Sequence, residues 1–216
     1  MRIQRGITGA AVLMAGIATM AQADNLVATL NNVSPGVSAT ISIDGGGSSF
    51  GVNGGLFNWT KTGGSYAGVN GDFTTFCIEV TENVAPGNSY TYDIDLVANG
   101  PTTAPMGAAL ADQMAELFGR FYGGLNLGDA DQVGGFQLAV WNIVYDGDAT
   151  ILAGNFQASD GVGPMAYADF YLGAIDGTGP RANLDAMLAV GIQDQIVPEP
   201  CSLVLLGLGA LAIRRR

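Results

Sequence analysis

The hydrophobic pattern of this chain changes period once, near Pro105, and that change limits the folds it can adopt. Ahead of Pro105, short segments rich in β-branched and aromatic residues alternate between apolar and polar positions. Glycine-rich turns such as Gly45-Gly46-Gly47 and Gly63-Gly64 separate them. A period of two residues predicts β-strands, and we expect them over 26–30, 37–43, 55–60, 73–80 and 89–97.

Beyond Pro105 the apolar residues recur with the spacing of a helix. The pattern predicts helices over 108–122 and 131–145, and a shorter third helix over 182–190. Strands followed by helices in a chain of this length are typical of one α+β domain. The predicted fold is therefore α+β, with a strand-rich N-terminal half and two or three helices in the C-terminal half. This single body covers 24–192.

The first 23 residues have the three parts of a secretory signal. Arg2 and Arg5 precede an apolar run over 7–20, and Ala21 and Ala23 are the small residues that a signal peptidase requires. We expect residues 1–23 to be a signal peptide, removed by a signal peptidase, so that the mature protein begins near Asp24.

Charge and histidine content exclude several classes of function. Between Asp24 and Glu199 the chain has nineteen acidic side chains against three basic ones. Such a surface repels phosphates, so the sequence predicts no nucleic-acid binding. The chain has no histidine, which removes the commonest general base and zinc ligand. We expect no cofactor and no metal.

A calcium site is the one metal alternative that the sequence leaves open. Asp129, Asp131, Asp146 and Asp148 lie among glycines and could offer carboxylate oxygens to calcium. No EF-hand pattern is present, and aspartates at helix ends more often cap helices or close turns.

The end of the chain has three elements in order, preceded by a predicted linker over 193–197. They are Val197-Pro198-Glu199-Pro200, an apolar run over 201–213, and Arg214, Arg215 and Arg216. Such a run reaches about 20 Å as a helix, short of the ~30 Å hydrocarbon core of a membrane. We expect transient membrane contact, with the arginines on the cytoplasmic side.

This order of elements, over 197–216, resembles the PEP-CTERM sorting signal of Gram-negative bacteria. The resemblance implies an exosortase-type sorting enzyme as a partner and a sorting tail over 198–216. Pro198, Glu199, Pro200 and the three terminal arginines are the sorting residues that it implies. The protein would reach the outer cell surface or the exopolysaccharide matrix after transient retention in the inner membrane. Cys201 and the short apolar run depart from the family's pattern.

Cys77 is the single cysteine of the predicted body, so it cannot form an internal disulfide there. It lies in the predicted strand 73–80, within Phe76-Cys77-Ile78. Downstream, Phe136-Gln137-Leu138-Ala139-Val140-Trp141 begins the helix predicted over 131–145. Gln137 and Trp141 are four residues apart and share a helix face. We expect Gln137 to face the sheet that carries Cys77.

These two segments resemble the motifs of the bacterial thioester domains found in Gram-positive surface adhesins. That family has an aromatic-Cys-aliphatic motif on a strand and an aromatic-Gln-x-Ala-aliphatic-Trp motif downstream. The resemblance implies that Cys77 supplies the sulfur and Gln137 the acyl carbon of an internal thioester, with Trp141 packed beside the bond. A Gram-negative sorting tail departs from the adhesin setting.

Other interpretations of these residues stay open. Buried free cysteines often behave as small apolar side chains, so Cys77 could be inert core. Glu79, on the same strand face, could move a proton for the thioester chemistry, although a lone strand carboxylate is more often solvated.

The sequence therefore predicts an exported surface or extracellular-matrix protein of a biofilm. It would attach covalently, at most once per molecule and not as a turnover enzyme, to an amine or hydroxyl of exopolysaccharide or of a surface protein. The alternative is a non-covalent structural or carbohydrate-binding matrix component with an inert Cys77.

Overall fold

The computed structural model describes residues 24–159 and 161–198. The prediction of a single α+β domain, strand-rich in its N-terminal half and with helices in its C-terminal half, is confirmed. The elements in chain order are β1 (Asn25–Ser42), β2 (Phe50–Gly63), β3 (Asp72–Cys77), β4 (Ser89–Leu96), α1 (Gly107–Phe121), α2 (Ala130–Tyr145), β5 (Gln157–Ser159), α3 (Val162–Leu172), β6 (Leu184–Ala189) and β7 (Ile192–Pro198).

The strands form one antiparallel sheet that closes on itself. Its order is β2-β3-β7-β6-β4-β1-β5, and β1 also pairs with β2. The long strand β1 closes the ring, because it pairs with β4 and also with β2. Its last residues pair in addition with β5. Register shifts along the β1–β2 pairing bend the two strands. The strands predicted over 26–30 and 37–43 are thus two parts of one bent strand.

Two sequence predictions near the C-terminus were wrong. The helix predicted over 182–190 is strand β6, which pairs with β4 and β7. The linker predicted over 193–197 belongs to β7, which pairs with β6 and β3 and buries Asp194, Gln195, Ile196 and Val197. Both segments close the sheet, and strand pairing there overrides local preferences for helix and loop.

The third helix lies elsewhere, at α3 (Val162–Leu172). Its start, Val162-Gly163-Pro164, looks like a turn in the sequence, but proline is tolerated in the first turn of a helix because that turn's N–H groups have no partner within it. The fold class was therefore predicted correctly with one of its helices misplaced.

Helix α2 is the centre of the domain. Every residue of it from Val133 to Val144 is buried, although the sequence predicted a single apolar stripe. Two glycines allow this burial. A Cβ at Gly134 would lie 2.4 Å from Cγ2 of Val37 in β1, and one at Gly135 would lie 2.6 Å from the carbonyl oxygen of Pro164 in α3. The helix therefore approaches a strand on one side and a second helix on another.

Gly135→Ala is expected to lower the free energy of unfolding by about 1–3 kcal/mol, the usual cost of overpacking. The direction of the change is informative. Helix propensity alone would make alanine more stable than glycine in a helix by about 1 kcal/mol, so a loss of stability must come from packing. Urea unfolding measures the effect. Gly124→Ala is the matched control, since its new Cβ would meet nothing within 4 Å. A Gly135→Ala protein as stable as wild type would contradict the close packing of α2 on α3.

Candidate functional site

The fold brings together the two segments that the sequence singled out. Cys77 is the last residue of β3, Gln137 lies in the middle of α2, and neither has any exposed surface. The backbone N–H of Cys77 donates to Oε1 of Gln137 at 2.9 Å, and Nε2 of Gln137 donates to the carbonyl oxygen of Cys77 at 2.7 Å. The side-chain amide therefore binds both backbone groups of the cysteine.

The end of a strand pairing explains why those backbone groups are free to bind Gln137. Strand β2 pairs with β3 only as far as Thr75, while β7 takes over on the other side at Phe76 and Cys77. The N–H and C=O of Cys77 that face α2 would be buried without partners if no side chain reached them. Gln137 fills the place of the missing strand.

The aromatic residues that precede Cys77 and Gln137 hold the two segments together. The rings of Phe76 and Phe136 have their centroids 4.8 Å apart, and Phe118 of α1 lies 4.9 Å from Phe136. Both phenylalanines are fully buried. Phe76 precedes Cys77 in the chain and Phe136 precedes Gln137. The contact between the two rings therefore sets the position of Gln137 on α2 relative to Cys77 on β3.

Trp141 lies one turn beyond Gln137 and packs beside the pair, 2 % exposed. The position of a Cβ at Gly54 in β2 would be 3.3 Å from Cζ3 of Trp141 and 3.4 Å from Cγ of Gln137, so β2 packs closely over both side chains. The indole Nε1 has no acceptor in hydrogen-bonding geometry within the described residues. It still lies close enough to the Cys77 sulfur to favour the thiolate.

The thiol of Cys77 is free in this structure and faces the backbone of Glu79. Its Sγ donates to the carbonyl oxygen of Glu79 at 2.5 Å, and the N–H of Glu79 lies 3.3 Å from Sγ. Burial raises the pKa of the Cys77 thiol far above its usual range. The charges of Glu79 and Asp194 raise it further, and the hydrogen bonds offset only part of the rise. At rest the group is a protonated thiol.

Glu79 is buried, so the expectation of a solvated carboxylate was wrong. Its carboxylate accepts hydrogen bonds from the hydroxyls of Thr81 and Thr103, the latter at 2.8 Å. In the part of the chain that the structure describes, the thiol contacts the main chain of Glu79, and the carboxylate is held by the two threonines. Its role as a proton carrier therefore stays a prediction.

Asp194 is a site residue that the sequence did not reveal. It is buried in β7, where Oδ1 accepts from the N–H of Ala189 at 2.8 Å and Oδ2 from the N–H of Thr102 at 2.5 Å. Burial raises the pKa of Asp194, the two N–H groups oppose this, and the charge of Glu79 adds to the rise. The polar run Gln193-Asp194-Gln195 resembled a linker, so no local signal marked the aspartate as buried.

Three of the four aspartates considered for calcium have carboxylates that accept hydrogen bonds within the fold. Asp129 caps α2 by accepting from the N–H groups of Asp131 and Gln132, and Asp146 accepts from those of Asn155 and Phe156. Asp148 accepts from Asn142 and Thr150. Among the described residues, no group of three or more acidic or cysteine side chains is arranged to hold a metal ion.

The export and sorting predictions concern residues that mostly lie outside the described ones. These are the signal peptide over 1–23 and Glu199, Pro200, Arg214, Arg215 and Arg216. Pro198 is described, and it ends β7 opposite Leu184. Over 24–159 and 161–198, no helix is long and apolar enough to cross a membrane.

Comparison with known proteins identifies no relative of this chain. No protein-family model, no curated protein and no solved structure matches this chain. Its function has to be inferred from the contacts of its own residues.

Proposed function

We propose that this chain is an exported surface or matrix protein that attaches covalently to its target through a thioester between Cys77 and Gln137. One observation supports this above all: the side-chain amide of Gln137 is bound to both backbone groups of Cys77 in a fully buried site. Residues 60 positions apart thus meet, with the amide of Gln137 held against the main chain of Cys77.

The bond would form by attack of Sγ of Cys77 on Cδ of Gln137. A C–S bond forms, the C–N bond breaks, and the amide nitrogen leaves as ammonia with the proton of the thiol. Negative charge develops on Oε1 during the attack, and the Cys77 N–H already donates to that oxygen at 2.9 Å. Fixed positions of the two groups lower the barrier, and burial keeps out the water that would hydrolyse the product.

A non-covalent matrix role is the second candidate, and a specific observation favours it. The Gln137 hydrogen bonds satisfy backbone groups that are buried in any case, so they have a structural value without any reaction. The high pKa of the Cys77 thiol also keeps the nucleophile protonated at rest.

Mass measurement on tryptic peptides distinguishes the two candidates. Cleavage after Lys61, Arg120 and Arg181 places Cys77 in peptide 62–120 and Gln137 in peptide 121–181. We expect digestion at mildly acidic pH to yield the two peptides joined and one ammonia lighter than their sum. Methylamine should separate them and leave its adduct on Gln137.

Cys77→Ala is the control, and it should abolish both the joined species and the methylamine adduct. Its effect on folding should be confined to the loss of one small buried side chain. Separate, unmodified peptides from freshly purified wild-type protein would sink the thioester proposal and leave the non-covalent role.

Sorting through the tail is part of the same proposal and has its own test. A chain ending after Pro198 keeps all of β7 but lacks Glu199, Pro200 and the terminal arginines. We expect this truncated protein to be exported and folded but no longer retained at the membrane or displayed on the cell surface. Unchanged surface display, measured by cell fractionation, would refute the sorting function of the tail.

A further inference from the structure

An open groove of about 1160 Å³ lies beside the thiol site. Strands β1 and β2 form one wall with Val37, Phe50 and Asn53, and the segment after β3 forms the other with Asn83. Trp141 and Gln193, which both neighbour the thiol site, form part of its lining.

A single group, the carbonyl of Glu79, links the groove lining to the sulfur of Cys77. Nε2 of Gln193 donates to the carbonyl oxygen of Glu79 at 3.0 Å, and the same oxygen accepts from Sγ of Cys77 at 2.5 Å. Trp141 lies in the groove lining and packs against Gln137 beneath Gly54. A molecule in the groove that displaced the Gln193 side chain would therefore meet the Glu79 carbonyl, the group that the buried Cys77 thiol contacts.

The chemistry of the lining is unlike that of the rest of the domain. Acidic residues outnumber basic ones nineteen to three between Asp24 and Glu199, yet every residue that lines the groove in the described part of the chain is uncharged. A protonated amine entering this groove would lose water without gaining a counter-charge, whereas a hydroxyl carries no charge to desolvate.

The polar groups that remain are amides and hydroxyls, and they alternate with apolar surface. Asn53 and Asn83 are exposed, and Ser38 donates to the amide oxygen of Asn53 at 3.1 Å. Phe50, 36 % exposed, presents an aromatic ring at the rim. Uncharged donors and acceptors beside apolar faces suit a ligand that has many hydroxyls and flat C–H faces.

We propose that the groove binds a neutral, polyhydroxylated chain, a glycan without amines or carboxylates, and presents one of its hydroxyls to the thioester. This inference rests on the proposed function and names its target class. The hydroxyl oxygen attacks Cδ of Gln137, a C–O bond forms, the C–S bond breaks, and the hydroxyl proton passes to the sulfur. The product is an ester on residue 137 with a restored Cys77 thiol, and nothing is oxidised or reduced.

The test exposes freshly purified protein to neutral glucan, mannan and galactan oligosaccharides and, separately, to chitosan oligomers and a lysine-containing peptide. We expect adducts of the neutral oligosaccharides on Gln137 that hydroxylamine removes, since esters are cleaved by it and amides are not. A Gly51→Trp variant places a large side chain in the groove at a position where a Cβ meets nothing within 4 Å. It should reduce these adducts at least roughly tenfold, because the hydroxyl is no longer positioned.

Gly124→Trp is the matched control, with equal space at its Cβ and a position outside the groove. It should form the adducts at the wild-type rate. Joined tryptic peptides, one ammonia light, must be found in all three proteins, and their absence from wild type would sink the thioester and this proposal together. With the thioester present, adducts from amine-bearing acceptors alone, or neutral adducts unaffected by Gly51→Trp, would overturn the glycan proposal and leave the thioester standing.

Discussion

Gln137→Ala, made in a Cys77→Ala background, is expected to lower the free energy of unfolding by about 2–6 kcal/mol. The truncation leaves the buried N–H and C=O of residue 77 without partners, and each unsatisfied group costs about 1–3 kcal/mol. The Cys77→Ala background excludes any covalent link between β3 and α2 from the measurement. Urea unfolding followed by circular dichroism gives the value.

Two further variants test whether the loss of stability comes from the Gln137 hydrogen bonds: truncation of another glutamine, and an isosteric replacement at position 137. Gln113→Ala on α1 removes a half-buried side chain of the same type and should change stability by less than about 0.5 kcal/mol. Gln137→Glu keeps an acceptor for the N–H at position 77 but buries a carboxylate. Because burial raises the pKa of such a group, its destabilisation should be largest at neutral pH and diminish as the pH falls. A loss for Gln137→Ala no greater than that for Gln113→Ala would contradict the observed pairing.

Phe136→Ala is expected to cost about 3–5 kcal/mol, the usual range for truncating a fully buried phenylalanine. The ring contacts four others, Phe76, Phe118, Tyr122 and Tyr171, with centroids between 4.8 and 6.4 Å away. Its loss leaves a cavity between β3, α1 and α2 at the place that sets the position of Gln137. The same unfolding measurement reports the change.

Phe170→Ala provides the comparison, because Phe170 touches Phe121 and Tyr171 yet is 61 % exposed. We expect it to cost less than about 1 kcal/mol. If Phe136→Ala folds, we also expect it to form fewer joined tryptic peptides, since the Gln137 amide would no longer be held against Cys77. Equal costs for the two phenylalanine variants would show that the aromatic cluster does not organise the site.

The candidate site was predictable to the extent that it is encoded in short motifs. Phe76-Cys77-Ile78 and Phe136-Gln137 mark a strand and a helix through local periodicity, and the structure places their side chains in contact. The pairing of the Gln137 amide with the Cys77 backbone was not predictable. It depends on the point at which β2 stops pairing with β3, which no residue near Cys77 specifies.

The C-terminal strands β6 and β7, in contrast, could not be predicted from local sequence. Leu184–Ala189 contains residues that favour helices, and the Gln193-Asp194-Gln195 run is as polar as a linker, yet both segments are paired strands. Their conformation is decided by the open strand edges of β4 and β3, which accept them as neighbours. Asp194 is buried as a consequence of that pairing and not because of its own polarity.

The sequence by itself determined the fold class and the approximate positions of β1 to β4, α1 and α2, because side-chain periodicity and turn residues act over a few positions of the chain. The candidate pair Cys77 and Gln137 followed from the resemblance of two short motifs to those of thioester domains. Only the tertiary structure decided the closure of the sheet, the burial of Glu79 and Asp194, and the uncharged groove beside the thiol site. These features arise from contacts between residues that are far apart in the chain, and a contact of that kind leaves no local pattern to recognise.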